Sequence, residues 1–233
     1  MSTTSSHPET PPGMIDILSG TLAVIRAAPY LLGLFLVSGI LRYVLPPIID
    51  STVRIVILCI GVFFAYRGFG GQIRADSSFV LRLFMAVIAT FISYLLLILS
   101  VFALAFLGNY NYVVFIVLAL LGLYVYARLF LSAPAVMIDG YGPFEALSES
   151  WRLTGDAGRT IAGAVIFVFV GVFVLLLALL QFIDAVLIVN IGGIFLLDTL
   201  FVGIQAYLYQ ELSETPKPVV HDDVGTDARD VTG

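Results

Sequence analysis

Residues 83–127 are 45 consecutive positions without one Asp, Glu, Lys or Arg. A helix needs about 20 mainly apolar residues to cross the roughly 30 Å hydrocarbon layer of a bilayer. This run is therefore long enough for two crossings and too apolar to cover a water-facing surface. Residues 160–183 are 24 more uncharged positions. Composition points the same way. Only 12% of the 233 residues are charged and 60% are hydrophobic, against roughly 25% charged in soluble domains. The expected fold class is all-α, a polytopic membrane helix bundle.

Turn signals divide the chain into six expected spans, at residues 30–45, 48–66, 81–107, 112–131, 160–183 and 186–209. Pro29 bends the chain before the first span, because a proline disfavours helix in the residue ahead of it. Pro46 and Pro47 close that span, and the cluster at residues 108–111 splits the long uncharged run. Residues 67–78 and 132–159 are expected to be polar connecting segments. The domain layout is a disordered polar tail at 1–13, a transmembrane domain at 14–210 and an acidic disordered tail at 211–233. Both tails are too polar to drive folding, and no cleavable signal peptide is visible in the first. One lysine among eleven basic residues, a pI near 4.8 and the aspartates of the second tail suggest a salt-loving source.

Two stretches are too short to span and have two faces. In the first, Asp16, Ser19, Gly20 and Ala23 oppose Ile15, Leu18, Leu22 and Ile25. In the second, Phe144, Leu147 and Trp151 oppose Glu145, Ser148, Glu149 and Arg152. Both read as amphipathic helices lying in the membrane surface; in the second, Trp151 is expected at the cytoplasmic headgroup level, with Phe144 and Leu147 facing inward and Glu149 and Arg152 facing water. A shift of 129 residues superposes them, Glu145 on Asp16, Ser150 on Thr21 and Trp151 on Leu22. This is either an internal repeat or a coincidence of two amphipathic helices.

Nine of the eleven basic residues fall in the tails and even-numbered connections; Arg42 and Arg54 alone fall on the other side. Positively charged loops stay cytoplasmic, so both termini are expected in the cytoplasm of a cell-membrane protein. The tyrosine pairs 110/112 and 207/209 fit aromatic belts at the two interfaces.

Few residues suggest chemistry. Cys59 is the only cysteine and lies in an apolar stretch, and His7 and His221 stand in the tails. No metal site, cofactor or catalytic set is expected. Gly68, Gly70 and Gly71 lack the lysine of a phosphate-binding loop and read as a tight turn. Gly192 and Gly193 would permit close helix packing. Asp198 stands near the middle of the sixth span, where a carboxylate costs a few kcal/mol. Gln205 follows on the same helical face, and Arg54 of the second span is a candidate partner. Together they mark either a proton or solute path or an ion pair that sets helix register.

The run PAVMIDGYGPFEALSESWRLTGD, residues 134–156, carries an alanine-leucine-x-x-serine-tryptophan-arginine-leucine helix, with Glu145, Ser150, Trp151 and Arg152 at the interface. It resembles the membrane-domain family of glycerophosphodiester phosphodiesterases and related multi-pass proteins of bacteria and haloarchaea. In that family the phosphodiesterase chemistry resides in a separate soluble barrel, for which this chain has no room. The resemblance therefore implies the membrane fold without the enzymatic activity. The expected function is a non-enzymatic membrane component that organises lipids or partner proteins; the alternative is a small transporter or permease-like module. The expected partners are membrane lipids and membrane proteins, with no nucleic acid.

Overall fold

The computed structural model describes residues 12–74, 77–107, 112–155, 157–182 and 186–213, and among them every regular element is helical. The long helices are α2 (Tyr30–Val44), α3 (Pro47–Gly68), α4 (Phe79–Leu107), α5 (Tyr112–Leu129), α8 (Gly158–Phe182) and α9 (Val186–Ser213). Helix α9 lies at the centre, against α2, α3 and α8. The short amphipathic helices are α1 (Met14–Ala27) and α7 (Pro143–Leu153). Among the described residues, four helical segments are long and apolar enough to cross a membrane: Ile49–Gly68, Leu121–Asp139, Gly158–Leu176 and Ile191–Ser213. The count becomes five if α1 and α2, bent by 93°, form one span. The expected count of six is thus not reproduced. Alone, α2 has 15 residues and is about 22 Å long, short of the roughly 30 Å of hydrocarbon.

Local chemistry explains the ends. Pro47 starts α3 as its first residue, where the missing N–H costs nothing. Its C-terminus closes on the glycine pair: Gly71 N–H donates to Tyr66 C=O at 2.9 Å and Gly70 N–H to Arg67 C=O at 3.2 Å. Gly70 has φ +91°, so this is a Schellman turn, which needs glycine at the left-handed position. The tight-turn expectation for these glycines holds.

The two amphipathic helices share a construction. The Asp16 carboxylate accepts the N–H of Gly13 at 3.0 Å, and the Glu145 carboxylate accepts that of Gly142 at 3.1 Å. Ile17, Thr21 and Ala28 are buried around α1, and Ala146, Ser150 and Ala157 are buried around α7. All these positions correspond under the 129-residue shift, so the internal similarity extends beyond the sequence match. Ile15 is 81% exposed and Phe144 77% exposed, Leu22 is exposed, and Trp151 is part-exposed with its ring over Arg128. Toward the bundle, small residues stand beside Ile17 and Val24. A Cβ on Gly20 would lie 2.3 Å from the Tyr207 ring, and one on Gly203 would lie 2.8 Å from Thr21. Between helices in lipid, close packing of small residues replaces the hydrophobic driving force. Gly193 lets α9 approach Leu176 of α8 in the same way; Gly192 faces open space.

The segment expected to be polar after the fourth span is largely interior. α5 stops at Leu129, and the chain continues through α6 (Ser132–Pro134) and a π-helical turn, Ala135–Asp139. Leu131, Ala135, Val136 and Met137 are fully buried. Their apolar side chains belong to the core, and the polar character begins only at Asp139. Tyr209 is no belt residue: it is buried, and its hydroxyl donates to the Asp139 carboxylate at 2.5 Å. Helix α9 runs past 210 to Ser213. The turn at 108–111, Tyr110, His7, His221 and nearly all of both tails lie outside the described residues.

Candidate functional site

Arg54 and Asp198 are brought together. Arg54 stands in the second turn of α3, and Asp198 stands on the face of α9 that α3 packs against. The Arg54 Nε–H lies 3.2 and 3.1 Å from the two carboxylate oxygens of Asp198, and Nη2 donates to Oδ1 at 2.5 Å. Asp198 is 1% exposed and the Arg54 side chain 37%. A bare carboxylate at that depth would be costly. Two-point contact with a planar guanidinium satisfies it and fixes the angle between the helices.

The pair separates two spaces. Inside it is a cavity of about 60 Å³, lined in part by Thr90, Ser93, Tyr94, Tyr126, Ser132 and Gln205. The Ser93 and Ser132 hydroxyls lie 3.3 Å apart across it. Its wall is mixed, with Leu58, Leu129, Phe130 and Phe201 beside the polar groups, and it admits only water-sized molecules. On the other side is a recess of about 350 Å³ between α2, α3 and α4, lined by Arg42, Asp50, Arg54, Phe91 and Tyr94 among others. This volume falls in the range of small-molecule and headgroup sites. Arg42 and Asp50 were recognisable in the sequence only as charges near a span boundary; the structure places both in the wall of one recess.

Gln205 does not join the ion pair. Its Nε2 donates to the Phe130 carbonyl at 2.8 Å, at the point where α5 breaks. The helix α7 signature acts at the same break. Ser150 Oγ accepts the N–H of Leu131 at 3.0 Å and donates to the carbonyl of Arg128 at 2.8 Å. Thr154 Oγ1 donates to that carbonyl as well, at 3.0 Å. Arg128, buried, returns two bonds from Nη1 to the carbonyls of Thr154 and Gly155, at 2.6 and 2.7 Å. Trp151 covers its guanidinium, 4.6 Å from the ring centroid. Backbone freed inside a membrane bundle must find partners within the protein, and these side chains supply them.

Glu145 caps α7, and Arg152 pairs with Glu149 on the exposed side. That contact outweighs burial, which acts in the opposite direction, and raises the Arg152 pKa above its usual value. Arg128 was overlooked as a site residue. Its signal was its position, as the first charge after the 45-residue uncharged run.

Among the described residues no three His, Cys, Asp or Glu side chains converge as metal ligands. The site holds charges, hydroxyls and a guanidinium, a set suited to binding. Comparison with known proteins returns no matching family model, no matching curated protein and no matching solved structure.

Proposed function

We propose that this protein is a non-enzymatic membrane component that engages and organises lipids. The observation that supports this is the outward apolar surface of both amphipathic helices, with Ile15, Leu22 and Phe144 exposed and Trp151 part-exposed. Such faces insert at the boundary of headgroups and acyl chains. The short α2 adds a second point of contact at the opposite end, because a helix shorter than the hydrocarbon layer thins the bilayer beside it. The resemblance of residues 134–156 to the phosphodiesterase membrane-domain family supports the same assignment, without the catalytic activity. The positive-inside distribution, nine of eleven basic residues on one side, supports cytoplasmic termini. Cysteine replacement of Val44 in intact cells, followed by an impermeant thiol reagent, is expected to label, and replacement of Arg67 is not.

The lipid assignment is tested by extracting the full chain in polymer-bounded native membrane particles and comparing their lipid classes with those of the bulk membrane. Enrichment of one class supports it. Bulk composition together with one retained small solute would instead support a transport module. The observation favouring transport is the position of Arg54–Asp198 between the recess and the inner cavity. The small size of that inner cavity weighs against passage of anything larger than water.

A further inference from the structure

The recess beside α2 brings opposite charges together without direct contact between all of them. Arg54 is committed to Asp198. Arg42 and Asp50 line the same recess, yet among the described residues neither side chain forms a hydrogen bond or an ion pair, with the other or with any third group. The position of Asp50 in the first turn of α3 accounts for its tolerance there, since a helix N-terminus favours negative charge. Arg42 thus keeps its donors, and Asp50 its acceptors, available to an occupant of the recess.

The recess is sunken. Arg42 is twelve residues along α2 and Phe91 twelve along α4, but α2 ends two residues later, whereas α4 continues for sixteen more. The wall that leads into the recess is apolar. Phe84, Phe91, Leu95 and Leu99 are exposed along one face of α4, and Phe91 is 58% exposed. Their spacings of seven, four and four make a continuous stripe. An occupant must therefore offer an anion to Arg42, a hydrogen-bond donor to Asp50 and a hydrocarbon body to the stripe. A lipid with a phosphodiester headgroup has this shape.

We infer that the recess is a binding site for a phospholipid whose headgroup pairs a phosphate, held by Arg42, with a hydroxyl or ammonium donor, held by Asp50. The acyl chains lie on the α4 stripe. Guanidinium forks match phosphate oxygens in two-point geometry. This inference rests on the lipid-engaging function proposed above, and names the site and class.

The test is native mass spectrometry of the full chain, delipidated in detergent and offered equal amounts of phosphatidylglycerol and phosphatidylcholine, the second lacking a headgroup donor. Wild type is expected to retain phosphatidylglycerol over phosphatidylcholine; Asp50→Ala should lower that preference about tenfold, the worth of one charged hydrogen-bond contact, and Arg42→Gln should lower retention of both lipids about tenfold. Arg42→Lys should retain part of it, and Arg26→Gln, at the opposite end, should match wild type. Equal retention of both lipids, or an Arg42→Gln chain that behaves as wild type, would overturn the inference. Displacement of the lipid by millimolar inorganic phosphate would also overturn it, in favour of a free-anion site. If native particles remain enriched in one lipid class while Arg42→Gln has no effect, the site is wrong and the broader function stands. If neither experiment shows selectivity for any lipid class, the broader function falls too.

Discussion

The guanidinium of Arg54 on α3 lies edge-on to the carboxylate of Asp198 on α9, with Nε and Nη2 both engaged. The pair thereby helps hold α3 and α9 in one register. Asp198→Asn removes the counter-charge and leaves Arg54 at depth. The expected loss is about 2 kcal/mol, below the roughly 3–5 kcal/mol of a fully enclosed pair, because Arg54 keeps access to the recess. Asp198→Asn combined with Arg54→Gln should recover most of that loss in thermal unfolding. If the two single effects simply add, the pair does not stabilise the protein, and a path through it becomes the better interpretation.

Ser150 bridges the gap where α5 stops. Its replacement by alanine leaves the Leu131 N–H without its partner; Thr154 still serves the Arg128 carbonyl. The expected cost is about 1–2 kcal/mol, the penalty of one buried unsatisfied donor. Trp151→Leu keeps the apolar surface but loses the ring over Arg128, at about 1 kcal/mol. Glu149→Gln weakens the contact with the half-exposed Arg152 and should change stability by less than about 0.5 kcal/mol. Unfolding midpoints that rank these three in another order would contradict the clamp.

Trp151 is the only tryptophan, so its fluorescence reports one position. Helix α7 has 11 residues, about 16 Å, half the bilayer thickness at most. Lying along the surface, it should be quenched more strongly by lipids labelled at shallow depth than by lipids labelled near the chain ends. Stronger quenching from the bilayer centre would mean that α7 is inserted.

Close approach of α1 to α9 depends on Gly20 and Gly203. Gly20→Leu cannot fit beside the Tyr207 ring and is expected to destabilise by about 1–3 kcal/mol, the usual range for an overpacked contact. Gly33, with nothing within 4 Å of an added Cβ, is the control, and Gly33→Ala should be neutral or slightly stabilising in the same unfolding assay.

By itself the sequence determined the class, the helical fold and most helix limits. Runs of uncharged residues have no other solvent than lipid, and Pro29, Pro46 and the glycines 70 and 71 act on their own neighbours, so their effects are local. It also singled out Arg54 and Asp198, because charges are so rare in the spans that they have few possible partners. The tertiary structure decided what local pattern cannot encode. It turned Ile15, Leu22 and Phe144 outward and packed Gly20, Thr21, Ala146 and Ser150 inward beside Ile17 and Val24. In water the large apolar face is the buried one. In lipid both surroundings are apolar, hydrophobicity no longer separates inside from outside, and shape and hydrogen bonding choose the face. The same reason hid the destination of Gln205, the interior course of residues 131–138 and the shared recess of Arg42 and Asp50, all of which depend on helices far apart in the chain.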